Sequence, residues 1–455
     1  MLGAYDPRPI VERGDNIDGD GPADAADLPR GGVGAFLRFE QRGLWRPERL
    51  RDLSAPSGAV RSYFPERGRV FRLPCFRLRG ASVVRYGQSA ARALGRAGEG
   101  GRGGTGEVVL PVHPVERARY AAALAGVGAE DLAAEGPRLW ATPTSSTRTL
   151  VMWPEDRPQA MSFVKLSLTC RELGDRALTR TRVARSVGLS GLVGRERERL
   201  PESIEFFPEW GGLVPRALPD GGVIFRAIPQ EVLEGRVIPA PLFALMGGSG
   251  GHPPLLRELM ERMGCGARDA LEGALLARFA RLWVDLVFDF GLILEAHAQN
   301  LLLALSPDEV PLGCFYYRDF EGLTVDWALR RAKGLAAEEL PGAGEWFATY
   351  ETWGYPLYQL VSVKLLTSLF DYLELVLGEL ESALLEWQVA GGVAGPRVRS
   401  GELTGLFSGY VRGAIADKFG IREGAQYDAR RHLKRFVKFL MRVRREVLRA
   451  GGEAA

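Results

Sequence analysis

A change in the period of the apolar residues divides the chain in two. From 255 to 290 they recur every three or four positions, at Leu271, Leu275, Phe279, Leu282 and Leu286. That spacing lines one face of an amphipathic helix. Further helices are expected over 357–389, 401–417 and 429–449. Before 255 the apolar runs are short and bounded by glycine and proline, as strands are. Candidates are 81–86, 107–112, 146–152 and 161–168, with 154–158 as a turn, and a pair at 212–218 and 223–228. Within the helical half, 300–305 and 313–319 read as two strands joined across Ser306, Pro307 and Asp308. The expected class is α+β, with a β-rich front half, a mostly helical back half and one embedded β-hairpin. At 455 residues the chain is too long for a single small core. Three regions are expected: 1–106, whose first 33 or so residues read as a mobile leader, then a β-rich domain at 107–254 and a helical domain at 255–455.

Bulk properties narrow the function classes. An apolar share of 46% and a charged share of 25% are those of a globular protein. A formal charge of only +3 speaks against a dedicated nucleic-acid partner. Cys75, Cys170, Cys265 and Cys314 show no CxxC spacing, so neither a zinc site nor a disulfide framework is indicated, which fits a reducing cytoplasm. The acidic N-terminus lacks the apolar core of a secretory signal. The greasiest stretch, 271–303, is interrupted by Arg278, Arg281, Asp285 and Asp289, too many charges for a bilayer span. A cytoplasmic protein with no membrane partner is expected. The glycines of 101–106 formally match GxGxxG, but a strand rather than a helix follows them. They read as a flexible hairpin or linker.

The densest polar cluster is Glu295, His297, Gln299 and Asn300, expected at the end of the long helix and flanked by the apolar runs 292–294 and 301–303. Asp319 follows Asn300 by nineteen positions (319 − 300), at the far end of the strand pair. A hairpin entered by an asparagine and left by an aspartate brings amide and carboxylate oxygens together. Such hard ligands suit Mg²⁺ bridging nucleotide phosphates, and Arg318 adds a positive fork. The bland alternative is a polar helix end with one surface ion pair. A second cluster, Thr144, Ser146, Arg148 and Thr149, sets hydroxyls beside an arginine at a turn into a strand. It forms either a phosphate or carboxylate cradle or an ordinary Ser/Thr turn. Lys165, between Val164 and Leu166, either faces solvent by strand alternation or reaches into a site. A lone histidine at a strand end, such as His113, is more often structural than catalytic. The basic C-terminal helix is by default a solvated face, although Lys434 and Lys438 lie four residues apart and can share one side.

Taken in order, these pieces resemble the NRPS-independent siderophore synthetase family of the aerobactin-synthetase type. The elements are His113-Pro114, Thr144-x-Ser146-x-Arg148-Thr149, Lys165-Leu166-Ser167-Leu168, Glu295-x-His297-x-Gln299-Asn300 and Arg318-Asp319-Phe320. Lys438 before Met441-Arg442 is a weaker echo, so the likeness runs from about 110 to 442. The resemblance implies a hand-like fold of thumb, fingers and palm, with a reduced thumb in this shorter chain. It implies an ATP- and Mg²⁺-dependent ligase that adenylates a di- or tricarboxylic acid such as citrate. Condensation with an amine or alcohol then gives an amide or ester, with AMP and pyrophosphate as co-products. By residue, it implies ATP-binding roles for Ser146, Arg148, Thr149, Lys165, His297, Gln299, Asn300 and Asp319. Within that set, His297, Arg148 and Lys165 would be catalytic and Asn300 and Asp319 would hold the metal. His113, Glu295, Arg176, Arg180 and Lys438 would serve the carboxylic acid or the nucleophile, and a homodimer is the implied assembly. After Leu168 the family's usual Thr-Ser and regularly placed arginine are absent, leaving Arg176, Arg180 and Arg182 as alternatives. The competing expectation is a small-molecule phosphotransferase with a kinase-like palm, in which an asparagine and an aspartate hold the metal. No convincing glycine-rich loop followed by a β-strand lysine near the N-terminus accompanies it. A third expectation is a non-catalytic relative that binds a metabolite or partner.

Overall fold

The computed structural model describes residues 32–42, 62–87, 106–132, 139–169, 176–247, 253–335, 375–389, 401–422 and 429–452. Most of the expected leader, the glycine-rich loop up to 105, Cys170 and the first part, 357–374, of the helix expected over 357–389 lie outside the described residues. In chain order the strands are β1 (Phe71–Arg72), β2 (Cys75–Arg79), β3 (Val83–Gly87), β4 (Glu107–Pro111), β5 (Glu130–Asp131), β6 (Leu139–Ser146), β7 (Thr149–Pro154) and β8 (Ser162–Leu166). They continue with β9 (Ile204–Phe206), β10 (Glu209–Pro215), β11 (Val223–Arg226), β12 (Ile238–Pro241), β13 (Leu292–Ile293), β14 (Leu301–Leu305), β15 (Pro311–Tyr317) and β16 (Thr324–Val325). The chain divides into two compact units that interleave along the sequence. One comprises Met1–Gly194, Phe207–Arg236 and Gly248–His252, the other Arg195–Phe206, Val237–Gly247 and Pro253–Ala455.

In the first unit, strands β7, β8 and β11 are buried along their whole length. Such strands belong in the middle of a sheet covered on both faces. They lie at the centre of a seven-stranded sheet of order β1-β6-β7-β8-β11-β10-β3, whose neighbours all pair antiparallel. Because side chains alternate along a strand, the faces have separate partners. Leu150, Met152, Val164, Leu166, Leu213 and Phe225 pack with the small sheet β4-β2-β5 and with Tyr120 and Leu124 of a short helix. The opposite face sets Val214 and Ile224 against Val183 and Val187. The helices of this unit are α1 (Gly32–Glu40), α2 (Arg117–Leu124), α3 (Arg180–Arg195) and α4 (Gln230–Leu233). The front half therefore contains a long helix, α3, that the β-rich reading does not include. Thr179 starts it, its hydroxyl accepting the Arg182 N–H at 3.4 Å, as helix N-caps do. Phe36 of α1 meets Phe163 edge-on at 5.6 Å on this same sheet face.

The second unit is not a helical body with a lone hairpin. The expected pair, β14 and β15, forms and is antiparallel. It is completed by β12 on one side and by parallel β9 on the other, giving the order β12-β14-β15-β9. Both outer strands come from sequence before 255, where the hydrophobic pattern alone assigned them to the front half. The helix expected over 255–290 is broken into α5 (Leu255–Met263), α6 (Ala267–Leu271), a π-helical turn at Glu272–Leu276 and α7 (Ala277–Phe290). The break follows Gly264, which takes the left-handed conformation at φ 60° and ends α5, a common helix stop. Beyond lie α8 (Trp327–Ala332), α9 (Leu375–Val389), α10 (Glu402–Phe419) and α11 (Ala429–Gly452). Phe279 of α7 stacks on Phe407 of α10 at 6.1 Å and meets Phe315 of β15 edge-on at 5.4 Å. Helix α11 buries Phe436, Phe439, Leu440, Val443 and Val447, the stripe of an amphipathic helix. No helix among the described residues is long and apolar enough to cross a membrane.

Candidate active site

The hairpin between β6 and β7 carries the first set of expected residues. The sequence reading began a strand at Ser146, but Ser146 ends β6, and β7 starts at Thr149. Thr147 and Arg148 form the turn, after a register shift between Pro143 and Ser146. Four groups hold this turn. Gln41 donates to Thr142 Oγ1 at 3.0 Å and to the Pro143 carbonyl at 2.8 Å. Glu40 accepts the Ser145 N–H at 2.9 Å. The Thr144 hydroxyl donates to the Thr149 carbonyl at 2.7 Å, and His113 Nε2 lies 3.1 Å from the Thr147 carbonyl. Arg148 donates from Nη1 to the Arg176 carbonyl at 2.7 Å.

Burial removes the first of the two sequence readings of Lys165, that it faces solvent. It is 2% exposed and pairs across β8 with Thr149 on one side and Ile224 on the other. Alternation puts it on the sheet face that α3 covers. Ser146, Arg148, Thr149 and Lys165 are thus carried by one hairpin and its neighbouring strand. Of the three arginines after Leu168, Arg176 is the one tied to this hairpin, through its carbonyl, while its own N–H bonds Leu168 at 2.9 Å. Arg182 donates to the Ala177 carbonyl at 2.8 Å. Arg180 is the first residue of α3 and is exposed.

Sequence reasoning missed the charges that fix the exit of β8, of which Glu116 is buried. Glu116 accepts the Thr169 N–H at 3.0 Å and pairs with Arg119 at 3.0 Å. Arg119 in turn reaches Asp220 at 2.5 Å. The Ser167 hydroxyl donates to the Asp220 carbonyl at 2.5 Å and accepts the Leu178 N–H at 3.1 Å. Behind the sheet, Arg226 and Glu209 form a buried ion pair at 2.5 Å, with Ser186 donating to the same carboxylate. Apart from Glu116 and Arg119, which lie one helical turn apart, these partners are too distant in sequence to leave a local pattern. The only hint is the acidic residue in His113-Pro-Val-Glu116.

The second set lies in the other unit. Residues 295–300 are not the end of the long helix, which stops at Phe290. They form the loop between β13 and β14. The loop is turned by its own backbone. The His297 N–H reaches the Glu295 carbonyl at 2.9 Å, and the Asn300 N–H the His297 carbonyl at 3.0 Å. His297 Nδ1 accepts the Gln299 N–H at 3.2 Å, so a neutral ring carries its proton on Nε2. Two nitrogens of the Arg318 fork are committed to backbone: Nε and Nη2 both donate to the Gln299 carbonyl, at 3.1 and 2.8 Å. The Tyr317 hydroxyl accepts the Glu295 N–H at 3.3 Å and donates to the Asp319 carbonyl at 3.2 Å. A Cβ at Gly322 would collide with the Glu295 carboxylate.

Two features set this loop and Asp319 apart from an ordinary packed turn. Asp319 has φ 74° and ψ 72°, a strained conformation for a non-glycine residue that tends to persist at functional sites. Asn300 is 2% exposed, and its Nδ2 meets no protein partner. A buried amide group left unmatched is costly and suits a site completed by a ligand. Among the described residues no group of three or more His, Cys, Asp and Glu stands ready to hold a metal. Mg²⁺ commonly takes only one or two protein oxygens together with nucleotide phosphates. By type, the Asn300 and Asp319 side chains offer oxygens of that kind, while the unmatched Asn300 Nδ2 is a hydrogen-bond donor suited to a phosphate oxygen. Lys438, expected near the carboxylate substrate, is exposed on α11.

Comparison with solved structures places the architecture. The ATP-bound aerobactin synthetase IucA from a hypervirulent pathotype of Klebsiella pneumoniae superposes with a TM-score of 0.55 at 18% identity, covering 80% of this chain and 65% of that one. The petrobactin biosynthesis protein AsbB from Bacillus anthracis str. Sterne gives 0.58 at 16% identity, over 81% of this chain and 64% of that one. The aerobactin synthetase IucC of the same Klebsiella pathotype gives 0.53 at 17%, over 80% and 66%. The fold is that of the siderophore synthetases. It is the family that the sequence motifs resemble, and this chain spans less than two thirds of the length of each of these relatives. A family model described as ferric iron reductase FhuF-like transporter matches residues 274–384, a stretch that includes the 295–300 loop and Asp319. No curated protein matches the sequence.

Proposed function

We propose that the chain is an ATP-dependent ligase of the NRPS-independent siderophore synthetase family. It adenylates one carboxylate of a di- or tricarboxylic acid and condenses it with an amine or alcohol. The single observation that carries this reading is the fold shared with an ATP-bound synthetase over 80% of the chain. In the first half-reaction a carboxylate oxygen attacks the α-phosphorus and pyrophosphate leaves. In the second, the amine or alcohol attacks the acyl carbon and AMP leaves. Arg148, Lys165, Ser146 and Thr149 bind the phosphates, where fixed positive charge stabilises what develops during transfer. His297, Gln299, Asn300 and Asp319 bind the nucleotide, with Asn300 and Asp319 as the oxygen donors for Mg²⁺. Bound there, Mg²⁺ would neutralise phosphate charge. Glu295, Arg176, Arg180 and Lys438 face the acid or the nucleophile, whose main need is orientation. The hand-like arrangement, a cytoplasmic location and a homodimer belong to the same reading.

The test is incubation with ATP, Mg²⁺ and a panel of di- and tricarboxylic acids, with and without amines, followed by nucleotide and product analysis. AMP, pyrophosphate and a new amide or ester are expected. Formation of ADP with a phosphorylated acceptor would overturn the reading in favour of a phosphotransferase.

A further inference from the structure

Of the residues that the resemblance assigns to the substrate, His113 is the one that is sealed off. It is 1% exposed, and Tyr63 meets its ring edge-on at 5.1 Å. Both ring nitrogens are committed to backbone. Nδ1 accepts the Val115 N–H at 3.3 Å, so it bears the lone pair. Nε2, 3.1 Å from the Thr147 carbonyl, therefore carries the proton and donates it. One neutral tautomer thus ties the start of the turn after β4 to the tip of the hairpin that presents Ser146 and Arg148.

The Thr147 carbonyl and the Arg148 N–H belong to one planar peptide group and point in opposite directions. With the carbonyl drawn to His113, the Arg148 N–H is turned to the Ser146 hydroxyl, 3.4 Å away. The orientation of this peptide group therefore sets both the Ser146 hydroxyl and the start of the Arg148 side chain. We propose that His113 is a positioning residue for nucleotide phosphate binding, acting by fixing the Thr147–Arg148 peptide group, and not a contact of the carboxylic acid. This rests on the proposed phosphate role of Ser146 and Arg148. Burial pulls the His113 pKa down to about 4, against the opposing effect of the Thr147 hydrogen bond. The ring accordingly stays neutral, and Nδ1 stays an acceptor, across the neutral pH range.

Two substitutions separate the ring nitrogens. His113→Gln places an amide N–H where Nε2 stands; His113→Asn places an oxygen near Nδ1 and reaches no further. His113→Gln should keep the ATP affinity of the parent, read by calorimetry with ATP and Mg²⁺. His113→Asn should weaken it about tenfold, the scale of one lost buried hydrogen bond, with the KM for citrate, used as the probe acid, unchanged. Hydrogen–deuterium exchange over 143–150 should quicken in His113→Asn and not in His113→Gln. Equal behaviour of the two variants, or a shift in the KM for citrate without one for ATP, would overturn the proposal. Should the parent protein neither bind ATP nor release pyrophosphate, the nucleotide reading falls, while the exchange comparison still decides whether His113 holds the hairpin. If the variants do not fold, the ¹⁵N shifts of the parent's histidines decide. An Nε2–H tautomer that does not titrate above pH 5 supports the role, and an Nδ1–H ring refutes it.

Discussion

Asp319 and Asn300 each carry a cost that the fold alone does not repay, the first in its backbone and the second in an unmatched buried amide. Replacing Asp319 with glycine should leave stability unchanged or raise it by about 1 kcal/mol, because glycine takes positive φ without strain. Pyrophosphate release should fall by about two orders of magnitude, the scale on which electrostatic groups at a reacting phosphate act. Urea denaturation beside a pyrophosphate assay checks both. Tyr317 belongs with them, since one hydroxyl joins the Glu295 N–H to the Asp319 carbonyl. Tyr317→Phe should cost about 1–2 kcal/mol in the same denaturation experiment. His113 supplies a pH signature. Its folded value of about 4 lies below the ordinary 6.5, so between these values the unfolded chain binds more protons than the native one. The stability it contributes is complete above about pH 6.5 and is lost as pH falls towards 4, by about 3 kcal/mol in all. Urea midpoints measured across that range should fall less steeply in His113→Gln.

At the scale of elements, the ends of strands and helices are fixed by buried polar ties. Helix α11 shows this most directly. Arg444 sits in its apolar stripe yet is buried, donating to both carboxylate oxygens of Asp326 at 2.5 and 2.9 Å. Asp326 also caps α8 through the Leu329 N–H at 3.1 Å. Truncating Arg444 to alanine strands a buried carboxylate and should cost about 3–5 kcal/mol, read as a lower urea midpoint. The exposed Arg445 on the same helix should tolerate alanine within about 0.5 kcal/mol. The reading of a solvated basic face thus holds for Lys438, Arg442 and Arg445 but not for Arg444, because its partner lies 118 residues earlier.

For the whole molecule, the proposed metal is a companion of the nucleotide and not a structural staple. Among the described residues no group of three or more His, Cys, Asp and Glu forms a closed cage, and the donors proposed above are only Asn300 and Asp319. Chelation should therefore abolish pyrophosphate release and leave the melting temperature of the nucleotide-free protein where it was. ATP with Mg²⁺ should raise that temperature, since a ligand that binds only the native state stabilises it.

What the amino-acid sequence determined by itself was local. The β14–β15 pair, the β10–β11 pair and the existence of helix α11 were legible because alternation and helical spacing act over a few residues. The motif residues were legible as types, a hydroxyl–arginine turn and a Glu-x-His-x-Gln-Asn cluster, although the cluster was expected at a helix end and lies in a loop. Tertiary structure alone decided where their side chains went. It sent the Arg318 fork to the Gln299 carbonyl and Lys165 to the interior, and it closed both nitrogens of His113 against backbone. It also recruited β9 and β12 to a sheet that local patterns assigned to the other half of the chain. The physical reason is the same in each case. A buried polar group must find a partner, and the partner is chosen by proximity in space, which the spacing of residues along the chain does not encode.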